Sequence, residues 1–156
     1  MNRLERWSLH LAAFVTALTG LIYGWARYYG QRLGEFGLEP HPWQGFVQHA
    51  HLLTGPVLLF LLGMAVKGHA MPAFSARGAK DQAAGLALTL ILTPMVLSGY
   101  ALQVCADLRW RTAIAWVHGP SALLFLLAYG AHLWMARRRA LRTQPREVMI
   151  EIHSHP

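Results

Sequence analysis

Charged residues are absent from four long stretches of this chain: 20 residues between Arg6 and Arg27, 27 between Glu39 and Lys67, 25 between Asp81 and Asp107, and 25 between Arg111 and Arg137. Each stretch is long enough for a helix to cross about 30 Å of hydrocarbon. A helix of a water-soluble bundle keeps a polar face along its length, and none of these stretches has one. The pattern predicts an all-α, integral membrane four-helix bundle, connected up-down-up-down, with helices near residues 8–29, 45–67, 83–105 and 113–136. The apolar run behind Arg3 and Arg6 continues to Trp25 with no clear small-residue cleavage site, so it is assigned as the first helix and not as a secretory signal.

Charge adds orientation. With the N-terminus in the cytoplasm, that side collects Arg3, Arg6, Lys67, Arg77, Lys80, Arg137, Arg138, Arg139, Arg142 and Arg146, against Arg27, Arg32, Arg109 and Arg111 opposite. The excess places both termini in the cytoplasm. Residues 1–139 then form the membrane domain and 140–156 a polar cytoplasmic tail. The formal net charge of +7 is mostly this topology signal. Because the basic residues are spread over short loops, no nucleic-acid partner is expected. Trp25, Tyr28, Tyr29, Trp43 and Trp110 mark the outer interface, with Trp7 and Trp134 nearer the inner one. The single Cys105 cannot form an internal disulfide, and the absence of C-x-x-C-H rules out a haem attached covalently to this chain.

Six of the nine histidines, His10, His49, His51, His69, His118 and His132, lie within the apolar stretches or at their ends. Ionisable residues there are costly and mark functional sites by default. Fourteen residues of α-helix fall about 40° short of four full turns and rise about 21 Å, so His118 and His132 face one way at two depths. His51, toward the outer end of the second helix, matches the level of His118. His10, near the inner end of the first, matches His132. His49 is an alternate to His51, although two residues of helix turn them about 200° apart. His69 is an alternate to His10, but at about 27 Å from His51 it falls at the membrane edge. His41, His153 and His155 read as solvated.

Zinc prefers four ligands converging at one level, commonly with cysteine or carboxylate, which these residues do not offer. Two histidine pairs at two levels suit two b haems, because a porphyrin supplies the equatorial nitrogens and leaves only axial positions to the protein. Pro56, Pro94 and Pro120, with Gly20, Gly24, Gly55, Gly63, Gly99, Gly119 and Gly130, interrupt the apolar blocks. Such residues serve either close helix approach or clearance for a flat cofactor. Arg3, Arg6, Arg109 and Arg111 are explained equally by topology or by pairing with haem propionates. No internal repeat of useful length is evident, although the second and fourth helices both open on histidine followed by glycine and proline.

The stretch RWSLHLAAFVTALTGL, residues 6–21, resembles the first helix of the four-helix di-haem b-type cytochromes that form membrane subunits of formate dehydrogenases and nickel-iron hydrogenases, in the cytochrome b561-like superfamily. HLLTG at 51–55, LSGYAL at 97–102 and the fourteen-residue spacing of His118 and His132 are similar to the same family. One departure is Leu11, where an aromatic residue often follows the first histidine.

The resemblance implies an electron-transfer subunit of the bacterial cytoplasmic membrane. Electrons pass from an extracytoplasmic dehydrogenase, iron-sulfur or cytochrome subunit to an outer haem (His51, His118) and an inner haem (His10, His132), and then to quinone as substrate. His69, Lys67 and the MPAFSARGAK loop are candidates for the quinone end, where protons are taken from water. With no catalytic acids, bases or nucleophiles of its own, such a chain leaves substrate chemistry to a partner. Two alternatives remain. One is a self-contained cytochrome b561-type oxidoreductase passing electrons from superoxide or a small reductant to quinone, with Arg27, Arg32, Arg109 and Arg111 as a basic funnel. The other is a structural membrane anchor without redox function.

Overall fold

The structure is a computed structural model and describes residues 2–71 and 79–153. It is all-helical apart from one small hairpin, with α1 (Arg3–Tyr28), β1 (Arg32–Gly34), β2 (Gly37–Glu39), α2 (Gln44–Ala65), a π-helical turn (Val66–Ala70), α3 (Ala79–Val104) and α4 (Leu108–His153). All four α-helices contain windows long and apolar enough to cross a membrane, with mean hydropathy from 1.4 to 1.7. At most 17% of any such window is buried within the protein. Phe14, Leu53, Phe60, Leu90, Trp116 and Leu127 point outward instead. Outward apolar surface on this scale fits contact with membrane lipid and a multi-pass membrane protein.

The chain divides into two compact units, residues 1–77 and 78–156. In the first, α1 starts with a reciprocal cap: Asn2 Oδ1 accepts the Glu5 N–H at 2.7 Å, and Glu5 Oε2 accepts the Asn2 N–H at 2.9 Å. This satisfies two of the N–H groups that a helix start leaves without intrahelical partners. The connection to α2 holds the hairpin, which the hydrophobic pattern does not announce. Its strands pair Arg32 with Glu39 and Gly34 with Gly37, and Gly37 at φ +117° takes a conformation that side chains disfavour. Helices α1 and α2 then pack as an antiparallel pair around Leu9, Ala13, Ala26, Val47 and Leu58. Pro56 sits inside α2 without ending it.

In the second unit, α3 and α4 form a tight helical hairpin through Cys105, Ala106 and Asp107. Asp107 Oδ1 caps α4 by accepting the N–H groups of Arg109 (2.9 Å) and Trp110 (3.0 Å). Arg111 Nη1 reaches back to the carbonyls of Leu102 (3.0 Å) and Cys105 (2.9 Å). Arg111 thus satisfies the end of α3, a job that the topology and propionate readings had both overlooked.

The fourth helix also departs from expectation. Predicted to end near 136, it continues to His153, so most of the polar tail is helical. Arg138 lies over the Trp134 ring at 3.8 Å, one turn on, where the apolar sequence gives way to basic sequence. Arg77, most of the MPAFSARGAK loop and His155 lie outside the described residues, as do the side chains of His69 and His153.

Replacing Asp107 by Ala removes the cap of α4 and is expected to cost about 1 kcal/mol. The cost is read as a lower midpoint in thermal melts of detergent-solubilised protein, followed by circular dichroism. Asp107→Asn, which keeps the acceptor, should retain most of the stability.

Candidate functional site

Of the singled-out residues, His10, His49, His51, Lys67 and His69 belong to the first unit, and His118 and His132 to the second. Within the first unit His51 is half-buried against α1. Its Nδ1 donates to the Thr16 carbonyl at 3.1 Å and lies 3.4 Å from Thr19 Oγ1. The Thr19 hydroxyl is itself fixed, back-bonded to the carbonyls of Val15 (2.8 Å) and Thr16 (3.1 Å). A Cβ on Gly20 would come within 2.9 Å of His51 Cε1, so only glycine lets the ring lie this close to the α1 backbone.

The second unit repeats this arrangement. His118 Nδ1 donates to the Met95 carbonyl at 3.0 Å and lies 3.3 Å from Ser98 Oγ. Ser98, buried, back-bonds to the carbonyls of Pro94 (2.5 Å) and Met95 (3.1 Å). A Cβ on Gly99 would meet His118 Cε1 at 3.1 Å. The correspondence holds in register. Val15, Thr16, Thr19 and Gly20 match Pro94, Met95, Ser98 and Gly99, each 79 residues later; His51 and Thr54 match His118 and Ser121, each 67 later. Thr54 Oγ1 donates to the His51 carbonyl at 3.2 Å, and Ser121 Oγ to the His118 carbonyl at 3.0 Å.

A local motif therefore recurs in the two units, although the sequence carries no repeat of useful length. It is structural rather than a run of similar letters: hydroxyl-glycine on one helix, and histidine with a hydroxyl three residues on in the next. The Thr-Gly pair and the Ser-Gly pair were visible as separate motifs, and placing them one above the other would have exposed it.

Since a carbonyl can only accept, each Nδ1 carries the proton and the neutral ring has its lone pair on Nε2. The two units thus present imidazoles of fixed tautomer and orientation, the preparation typical of a metal-ligating histidine. Thr16 Oγ1, beside the carbonyl that holds His51, is inaccessible to solvent and has no hydrogen-bond partner among the described residues. Comparison with models of protein families, with curated proteins and with solved structures finds no match for this chain.

His49 behaves differently. It is exposed and donates from Nδ1 to Gly45 of its own helix at 2.7 Å. His10 and His132 are both half-buried. His10 lies nine residues before Thr19 on α1, about 14 Å along the axis, and His132 lies about 21 Å from His118 along α4. Each unit therefore carries histidines at two levels. Lys67 is exposed in the π-helical turn that follows α2. Among the described residues, no three His, Cys, Asp or Glu side chains converge as a metal cluster.

One expectation fails at the other end of the first unit. His41, read as solvated, is half-buried between Trp25 (ring centroids 5.4 Å apart) and Trp43 (6.2 Å), and its Nδ1 accepts the Trp43 N–H at 3.3 Å. These rings, with Ile22, Ala26, Arg32 and Pro42, line a cleft of about 370 Å³.

Alanine ordinarily stabilises a helix over glycine by about 1 kcal/mol. Gly20→Ala, which puts a Cβ 2.9 Å from the ring, should reverse that sign and lower the melting midpoint by displacing the imidazole, and Gly99→Ala, at 3.1 Å, should forfeit the gain. Gly24→Ala, one turn along α1 where an added Cβ meets nothing within 4 Å, should leave it level or raise it.

Proposed function

We propose that the protein is a membrane electron carrier that holds two b haems through paired histidines and connects a partner redox protein with the quinone pool. One observation carries this reading. Each half pins an imidazole, Nδ1 inward, against a glycine on the preceding helix, so that both rings are set to donate through Nε2. A hydrogen-bonded histidine used only for packing has no need of a second copy, in register, in the other half of the chain.

The residues fit the group. His51 and His118, equivalent in the repeat, would hold one haem, and His10 with His132 the other. The unsatisfied Thr16 hydroxyl is what a cavity completed by a non-protein group leaves behind. His51 is preferred to His49, which hydrogen-bonds within its own helix. Haem held in this way would supply one-electron transfer.

Leu58 and Phe125, each seven residues and about two turns beyond its histidine, are buried apolar residues that would help to keep water from the group. Lys67 and His69, at the end of α2, provide polar groups for a quinone near the cytoplasmic face, in an orientation with both termini inside. The electron donor is an extracytoplasmic dehydrogenase, iron-sulfur or cytochrome subunit, and the compartment is the bacterial cytoplasmic membrane.

The test is a reduced-minus-oxidised spectrum of purified protein with haem quantitation. The expected content is about two low-spin b haems per chain. His51→Ala and His118→Ala should each remove the same one, His10→Ala and His132→Ala the other, and His49→Ala neither. No haem absorbance in wild-type protein would return the chain to a structural anchor. Two haems persisting in His118→Ala would sink the pairing. Quinone reduction by the purified chain from superoxide, without a dehydrogenase, would favour the self-contained oxidoreductase.

A further inference from the structure

We infer that Thr19 and Ser98 are positioning residues that set how strongly His51 and His118 donate to a bound metal, an inference that rests on the haem reading above. Neither residue is placed to touch a metal. Each acts through the imidazole on the following helix. The Nδ1–H of His51 is shared between the Thr16 carbonyl (3.1 Å) and Thr19 Oγ1 (3.4 Å), and that of His118 between the Met95 carbonyl (3.0 Å) and Ser98 Oγ (3.3 Å). The hydroxyls can serve as acceptors because their own protons are already committed to carbonyls one turn back, those of Val15 and Thr16 or of Pro94 and Met95. Two acceptors on one N–H draw the proton outward and make Nε2 a stronger donor, which favours the oxidised metal and lowers its reduction potential.

The geometry also separates this role from simple helix packing. Had the hydroxyls served only to satisfy themselves, the back-bonds to their own helices would suffice. Instead, both lie within 0.4 Å of 3.0 Å from the same ring nitrogen, in two segments that share neither sequence nor connection length. Ser98 is one of two buried polar side chains among the described residues, and the other, Ser121, donates to the His118 carbonyl. Ser121 back-bonds to its own helix, to the Val117 carbonyl as well, and so Ser98 is the buried hydroxyl that reaches the imidazole.

The experiment uses full-length protein with Thr19→Val and Ser98→Ala, singly and together, and with the exchanges Thr19→Ser and Ser98→Thr, which keep the hydroxyl. In redox titrations, Thr19→Val and Ser98→Ala should each raise the potential of the haem lost in His118→Ala and leave the other unchanged. Affinity for that haem should fall about tenfold. The exchanges should restore both values. Equal shifts in both haems, or a lower melting midpoint with unchanged potentials, would overturn the inference while leaving the haem reading intact. If wild-type protein binds no haem, the haem reading fails by itself. Nitrogen-15 NMR of the imidazoles then decides for the hydroxyls: with the proton kept on Nδ1 by the Thr16 and Met95 carbonyls, a changed Nδ1 shielding of His51 or His118 in the Val and Ala variants supports their role, and identical spectra overturn it.

Discussion

The hydrogen bond from an imidazole Nδ1–H into the side of a neighbouring helix is the interaction around which both halves of this molecule are arranged. A helical carbonyl already accepts the N–H four residues on, yet it retains a second lone pair that can serve an outside donor. The side chain at that fourth position stands beside the carbonyl and normally covers it. Here the fourth residue after Thr16 is Gly20 and the fourth after Met95 is Gly99; a Cβ at Gly20 would run into the ring and one at Gly99 would press on it. Glycine, hydroxyl and histidine are therefore interdependent: glycine exposes the carbonyl, the hydroxyl flanks it, and the histidine uses both.

Magnitudes explain why the arrangement persists in an apolar segment. A glycine inside a helix costs about 1 kcal/mol relative to alanine. A buried polar group left without a partner costs about 1–3 kcal/mol, and its desolvation is no cheaper in hydrocarbon. One glycine per unit is thus offset by the imidazole it satisfies. Serine and threonine complete the accounting, because their back-bonds leave no hydroxyl proton to be orphaned. Thr16 is the exception, and it lies in the first unit only, since its counterpart Met95 has no hydroxyl.

The spans were legible from gaps in charge alone, because nothing but length and polarity decides whether a helix can cross hydrocarbon. Helix ends were less so. The continuation of α4 through Arg137, Arg138 and Arg139 reflects helix propensity in a segment that hydrophobic patterning cannot see, as arginine is a good helix former in water. The β-hairpin escaped because its six paired residues lack a clear alternation, and because its turn depends on a single glycine at positive φ. Helical spacing put His118 and His132 on one face without help from the fold, whereas separating His51 from His49 needed the neighbouring helix. Only Thr16, Thr19 and Gly20, more than thirty residues away in sequence, distinguish an inward ring from one bonded to its own helix. His41 was misjudged for a similar reason: its two tryptophan neighbours come from either side of the hairpin.

The repeat accounts for one level of histidines and not for the other. Carried through the same register, His10 of α1 corresponds to Thr89 of α3, and His132 of α4 corresponds to Ala65 at the end of α2. His51 and His118 are thus equivalent residues on equivalent helices, each with the same support. His10 and His132 occupy non-equivalent positions, one on the first helix and one on the last. On the proposed reading, one haem would be held by histidines at repeated positions and the other by histidines at unrelated ones. Two chemically identical cofactors so held would owe any difference in potential to the polypeptide alone.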